Sequence, residues 1–406
     1  MGCDKEGVRR RLRLHDVAVI GAGPIGSYTA WQLANAGYRV VVLEQRDKLG
    51  EKRCCTGIIS RECVSLFAFD ESIILGQLKG ARIFSPSGEC LRLWREETQA
   101  YVIDRAAFDN FLAKKAKDKG TEYILNCMVR EIEVESDKIR LEAACDGEEL
   151  NLEARAAVIA TGFGSRLAEK LGLGRVGDFV IGVQAEVETR GVDEVEVYFG
   201  EDIAPGFFAW LVPISSYRAR VGLLSRHNAK QYLKKLVSSL IIHGKIIAGE
   251  YEMSYGGIPL QPLPRTYCDR VIVVGDAAGQ VKPTTGGGIY YGLLCADIAA
   301  HTLQQAMEHN NFSAGNLSSY GREWQRRLGR ELKLGYRARK LFERLNDNQI
   351  DKIFDIIKNS GLDETLLKTE NISFDWHSEA LSGLLRYKAV SWALEVVKIP
   401  LRLTRS

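Results

Sequence analysis

Residues 16–20 form a short apolar run that leads directly into Gly21-x-Gly23-x-x-Gly26, and a helical pattern over 27–36 follows at once. That junction constrains the fold more than any other feature of the chain. In such a turn the first glycine makes the tight bend, the second lets a pyrophosphate approach the backbone, and the third lets helix pack on strand. The positive end of the helix then faces the phosphates. Gly37 stops the helix, residues 39–43 form a second strand, and Glu44 ends it. Strand, helix and strand together have the length a parallel crossover needs. A carboxylate at that place accepts hydrogen bonds from an adenosine ribose and repels a 2′-phosphate, which points to FAD or NAD and away from NADP.

The rest of the 406-residue chain is organised around this unit. An N-cap at Asp104 opens a helix with Phe108, Phe111 and Leu112 on one face and Arg105 in its first turn. Alternation over 123–152 predicts an antiparallel meander, and residues 156–160 return to the parallel sheet. Four strand-like segments with one helix from Asn228 fill 177–267, after which residues 269–274 read as another buried parallel strand. The expected organisation is an α/β fold with a discontinuous Rossmann-like domain over 14–176 and 268–310. An antiparallel β-sheet substrate domain covers 177–267 and a helical region covers 311–406.

Composition excludes several classes. With 55 Lys+Arg against 52 Asp+Glu the net charge is +3, so no nucleic-acid partner is expected. No apolar stretch reaches the roughly 20 residues needed to span a bilayer. The nine cysteines have no metal-knuckle spacing and read as thiols of a reducing compartment, hence a cytoplasmic protein; the six histidines form no ligand pattern, so no metal is expected. Residues 1–13 read as a basic arm without the apolar body of a secretion signal. Over 381–405, Arg386, Lys388, Lys398, Arg402 and Arg405 alternate with apolar residues, which fits an interfacial helix on the inner face of a membrane or an ordinary surface helix.

A second signal decides between FAD and NAD. After the strand 271–274 come Gly275, Asp276, Pro283 and the run Gly286, Gly287, Gly288. Here the sequence resembles the geranylgeranyl reductase family, within the FAD enzymes that share the fold of the aromatic hydroxylases. The resemblance implies that Asp276 holds the ribityl or pyrophosphate part of FAD and that the three glycines lie against the flavin ring. Reduced flavin carries negative charge over N1 and the C2 carbonyl, and a helix starting near Gly288 offers N–H groups to it. Arg105, in an Arg–x–x–Phe–Asp helix, matches the family's cofactor-contacting arginine. A cation in a first turn opposes the helix dipole and calls for a compensating partner.

Two further segments carry the resemblance. Cys54-Cys55-Thr56-Gly57 resembles the family's cysteine–glycine segment near the flavin, with Cys55 the better match; its thiol donates a proton or fills an apolar gap. Phe208-Ala-Trp210-Leu-Val212-Pro213 resembles the motif that lines the isoprenoid tunnel, with Val212 in place of an aromatic residue; a plain core strand shows the same alternation. The implied function is FAD-dependent reduction of carbon–carbon double bonds in a prenyl chain of a lipid, quinone or pigment precursor. The proton comes from Cys55, from Tyr290 or Tyr291, or from water, and NADPH, ferredoxin or a deazaflavin is the electron donor. The rivals are a monooxygenase or halogenase of the same fold and a flavin-containing lipid-binding protein without turnover.

Overall fold

In the computed structural model the described residues are 14–51, 54–360, 374–378 and 381. The strand His15–Ile20 lies between Val40–Leu43 and the end of Glu148–Ile159, parallel to both, with Val19 in register with Val42 and Val158. Val271–Val273 adds a further parallel strand beside Glu148–Ile159, Tyr267–Cys268 closes that edge, and Glu122–Ile124 closes the other. Val40, Val41, Val42 and Leu43 are all buried. Such unbroken burial marks a strand covered on both faces, as a parallel sheet requires.

The strand Glu148–Ile159 serves two sheet environments. Its first half alternates in exposure and pairs antiparallel with Ile139–Cys145, which pairs in turn with Cys127–Val134 to complete the meander. Its end, residues 156–159, a run of small and branched apolar side chains, enters the parallel sheet. The helices Pro24–Asn35, Ile289–Glu308 and Ala314–Phe342 pack on one face through Leu33, Leu293, Leu303 and Leu317, and the meander contributes Ile139 and Leu141 to the other. Burying each such side chain contributes about 1.5–3 kcal/mol.

A seven-stranded sheet runs in the order Met253–Pro259, Phe179–Glu188, Arg218–Ser225, Ala209–Pro213, Val195–Tyr198, Gly80–Phe84, Cys90–Trp94. Its last two strands form a hairpin from outside the expected span 177–267, joined through the parallel pairing of Val195 with Ala81. Tyr267, placed in that span by the sequence, pairs with Ile272 in the other sheet. Sheet membership is fixed by pairing between distant segments, which local alternation does not encode. The helix Ala229–Ile242 buries Leu233, Leu236, Val237 and Leu240 beside this sheet. The strands Ile58–Ser60, Ala100–Ile103 and Ile74–Leu78 make a third, small sheet.

The expected C-terminal helices are Ala314–Phe342 and Asp347–Asn359, the second opened by a capping box between Asn346 and Gln349. The basic stretch 382–405 lies outside the described residues, as does the arm 1–13. Among the described residues, no helix is long and apolar enough to cross a membrane and no cluster of ligating side chains could hold a metal ion. Cys127 and Cys145 face each other in register across the meander, with their sulfurs in contact. Their spacing in sequence gave no hint of that register.

The close fit of the first helix is testable. A Cβ at Gly26 would stand 2.0 Å from the Gly21 carbonyl oxygen, whereas one at Gly76 meets nothing within 4 Å. Gly26→Ala should therefore destabilise the protein by about 1–3 kcal/mol in chemical denaturation, and Gly76→Ala should change stability by less than about 0.5 kcal/mol.

Candidate active site

The glycine turn is shaped for a diphosphate. Gly21 has φ +107°, a left-handed conformation, and a Cβ on it would stand 2.5 Å from the Ala160 carbonyl oxygen. Gly23 is the extended N-cap of Pro24–Asn35, with Pro24 following, and no side chain caps the helix. Its first N–H groups therefore stay available to an anion. Buried Glu44 accepts from the Ala22 N–H at 2.7 Å through Oε2 and from the Arg46 N–H at 3.1 Å through Oε1. Each oxygen keeps a lone pair for a ribose hydroxyl.

The second cofactor segment meets the first at Ile25. A Cβ at Gly275 would stand 3.2 Å from Ile25 Cγ1, and one at Gly292 would stand 2.6 Å from Ile25 Cδ1. Asp276 follows in the 3-10 turn Gly275–Ala278, and its Oδ1 would lie 2.6 Å from a Cβ on Gly288, the N-cap of Ile289–Glu308. Gly286 has φ +78°, and a Cβ there would meet Ile258 Cδ1 at 3.3 Å and Leu224 Cδ1 at 3.8 Å. Pro283 packs at Gly335 of Ala314–Phe342. The turn thus joins the parallel sheet's helix to the seven-stranded sheet.

Arg105 opens the helix Arg105–Lys117, whose N-cap Asp104 accepts from the N–H groups of Ala106 and Ala107. Its compensating partner is Asp109, one turn on, at 2.8 Å. Burial works against the guanidinium charge, but the neighbouring Cys55 sulfur and the Asp109 carboxylate outweigh it and raise its pKa above the usual value. Arg105 Nε is buried with no partner among the described residues. The segment 54–57 is clamped from the sheet side: Arg220 Nη1 donates to the Thr56 carbonyl at 2.8 Å, and Gln184 Nε2 donates to the Cys55 carbonyl at 3.1 Å. Cys54 turns toward the Gly182 carbonyl, and burial pushes its thiol up to about 12.

Register places Trp210, Gly222, Gln184 and Ser254 opposite one another across four strands, so they share one sheet face. The indole lies flat on Gly222, where a Cβ would stand 2.5 Å from Trp210 Cζ2. Phe208 shares this face, its ring 5.9 Å from that of Trp210. Pro213 is an odd number of residues away and falls on the opposite face, a correction to its expected place in the substrate surface. Gln184 Oε1 and Trp210 Nε1, like Arg105 Nε, are buried without a partner among the described residues. These unmatched polar atoms, with glycines whose Cβ atoms would fill the turns, fit a large polar-edged cofactor beside an apolar surface.

Tyr290 and Tyr291 take another place. Tyr290 donates to Glu62 Oε1 at 2.6 Å and Tyr291 to the Asp375 carbonyl at 2.8 Å, and both rings pack on Trp376. Burial, then nearby carboxylates, raises both pKa values well above the phenol range. Committed hydroxyls of that kind are poor proton donors, and among the described contacts neither meets the Cys55 segment. Sequence reasoning missed Arg220, Gln184 and Lys282. The first two sit in strands where only pairing reveals their face; Lys282 stood in the glycine-rich segment, masked by its neighbours.

A family model described as lycopene cyclase protein matches residues 16–369. A digeranylgeranylglycerophospholipid reductase of Methanocaldococcus jannaschii is 32% identical over 86% of this chain and 93% of its own. The crystal structure of a geranylgeranyl bacteriochlorophyll reductase-like protein from Thermoplasma acidophilum superposes with a TM-score of 0.83 at 26% identity, covering 95% of this chain and 99% of that one. The myxobacterial chondrochloren halogenase has a TM-score of 0.66 at 18% identity over 94% of this chain and 97% of its own, and so shares the fold. The chain belongs to the family described as lycopene cyclase protein and, with that relative and that fold, is a member of the geranylgeranyl reductase family of FAD-dependent oxidoreductases.

Proposed function

We propose that this protein reduces carbon–carbon double bonds in the prenyl chains of a glycerophospholipid of the digeranylgeranyl type, with FAD held between the two glycine segments. One observation carries the reading. The segment 54–57 sits on a sheet face that carries Trp210, Leu224 and Ile258, its Cys55 sulfur lies beside Arg105, and the turn containing Gly286 closes on that same face. An extended hydrocarbon fits such a surface, and a thiol is an exchangeable proton source within it.

Gly21, Gly23, Gly26 and Glu44 would hold the adenosine and diphosphate, Asp276 the ribityl side, and Gly286, Gly287 and Gly288 the ring. Bound there, reduced FAD would supply hydride for one alkene carbon. Cys55 delivers the proton to the other carbon, and Arg105 stabilises the thiolate left behind until water reprotonates it. Gln184 and Arg220 fix the backbone that carries Cys55. The electron donor in this reading is NADPH, ferredoxin or a deazaflavin. A lipid-borne substrate also gives the basic stretch 381–405 a role at an anionic membrane surface.

Mass analysis of the cofactor released from purified protein should give FAD, and Asp276→Ala should lose most of it; recovery of NAD alone would sink the reading. The central experiment is anaerobic. Prenyl lipids added to the reduced protein should reoxidise the flavin and gain two mass units per step. Coupled hydroxylation or halogenation in air, with no such reduction, would favour the oxygen-using rivals instead.

Cys55→Ser should keep FAD and its reduction by the donor but slow alkene turnover by about 10²–10⁴-fold, the range for loss of a positioned acid. Cys54→Ser should leave turnover within about threefold, since a surface or packing change of about 0.5 kcal/mol is a factor of that size. Equal effects of the two substitutions would remove Cys55 from the proton path. Trp210→Ala should weaken handling of the prenyl lipid while the flavin content stays unchanged, as read by absorbance at stoichiometric loading.

A further inference from the structure

Lys282 closes the glycine turn twice. Its backbone accepts from the Gly286 N–H at 2.8 Å and donates to the Gly287 carbonyl at 3.1 Å. Its side chain then passes directly against Gly287, where a Cβ would stand 2.8 Å from Cε. The ammonium ends on Asp375 Oδ1 at 2.7 Å and on the Phe374 carbonyl at 3.3 Å. The two side chains are only 5% and 2% exposed. Three more ties join residues 374–378 to the same region. Tyr291 donates to the Asp375 carbonyl at 2.8 Å, Thr284 Oγ1 and His377 Nδ1 share a hydrogen bond of 2.7 Å, and Glu331 Oε2 accepts from the N–H groups of His377 and Ser378 at 2.9 Å each.

A fully buried ion pair is a poor device for stability alone, because apolar residues of similar volume usually do as well. Its position is what distinguishes this one. One partner belongs to the turn that would face the flavin, the other to a segment far along the chain. We propose that residues 374–378 are a latch on that turn, and that Lys282 and Asp375 are positioning residues that hold residues 286–288 against the flavin and set how readily it is reduced. The inference rests on the reading of this turn as the FAD site.

The charges give opposite expectations for the two partners. Asp375 neutralises Lys282; without it a net positive charge stands behind the turn and favours the anionic reduced flavin, whereas loss of Lys282 leaves a negative charge that disfavours it. In the FAD-loaded full chain, Asp375→Asn should shift the flavin midpoint potential upward and Lys282→Met should shift it downward, as measured by anaerobic titration against a reference dye. Shifts of the same sign, or none beyond error, would overturn the proposal. Should the single variants fail to fold, the doubly substituted Lys282→Met, Asp375→Leu chain, which buries no charge, decides the matter. A rise of about fivefold or more in the FAD dissociation constant supports the latch, and wild-type affinity refutes it. Wild-type protein that carries no FAD would instead bring down the underlying reading.

Discussion

Ile25, in the first turn of the first helix, sits against Gly275 and Gly292, residues distant from it in sequence. Neither position leaves room for a side chain against it, so the two nucleotide segments can approach only as glycines. The Gly21 turn and the Asp276 turn are brought to the same end of the parallel sheet by that approach. The sheet itself supports it: His15–Ile20 and Val271–Val273 flank the same strand, Glu148–Ile159, and both turns leave from the carboxyl ends of their strands. Ligands in open α/β sheets bind at such an edge.

The second sheet completes the site by lacking side chains where the cofactor segments come close. Gly182 and Gly256 are opposite each other in register, and both face Cys54. Gly222 lets the Trp210 indole lie flat. A sheet face lowered in this way admits the segment 54–57 and leaves apolar surface beyond it, while Arg220 and Gln184 on the same face satisfy that segment's carbonyls. The polar clamps are local and the remaining surface is hydrocarbon-like, which is the combination a prenyl chain needs.

The parts of this arrangement that are local in sequence were legible there. Gly21, Gly23, Gly26 and Glu44 lie within one strand–helix–strand unit, so spacing alone placed them, and the Arg–x–x–Phe–Asp helix carried its own counter-charge in Asp109. What escaped was set by pairing. The hairpin from Gly80–Phe84 and Cys90–Trp94 joins the second sheet through contact with Val195–Tyr198, more than a hundred residues on, and no alternation pattern names a partner strand. Pro213 was grouped with Trp210 by motif, yet the two-residue period of a strand puts them on opposite faces. Tyr290 and Tyr291 looked available because they follow the glycine run; the helix turns both rings into the core, where their hydroxyls donate to Glu62 and to the Asp375 carbonyl.

Cys54 and Cys55 show how much neighbouring residues differ once the fold is made. Both sit in the same short segment, and composition treats them alike. Cys54 turns toward Gly182 and Gly256, where burial dominates and the thiol is held in its neutral form. A thiolate formed there would have no cation to pair with among its described neighbours. Cys55 lies beside a buried guanidinium that Asp109 compensates only through one nitrogen, with Nε still unmatched. The fold common to reductases and halogenases does not supply this difference. It comes from which of two adjacent cysteines meets Arg105, and on that contact the proposed proton-donor role of Cys55 rests.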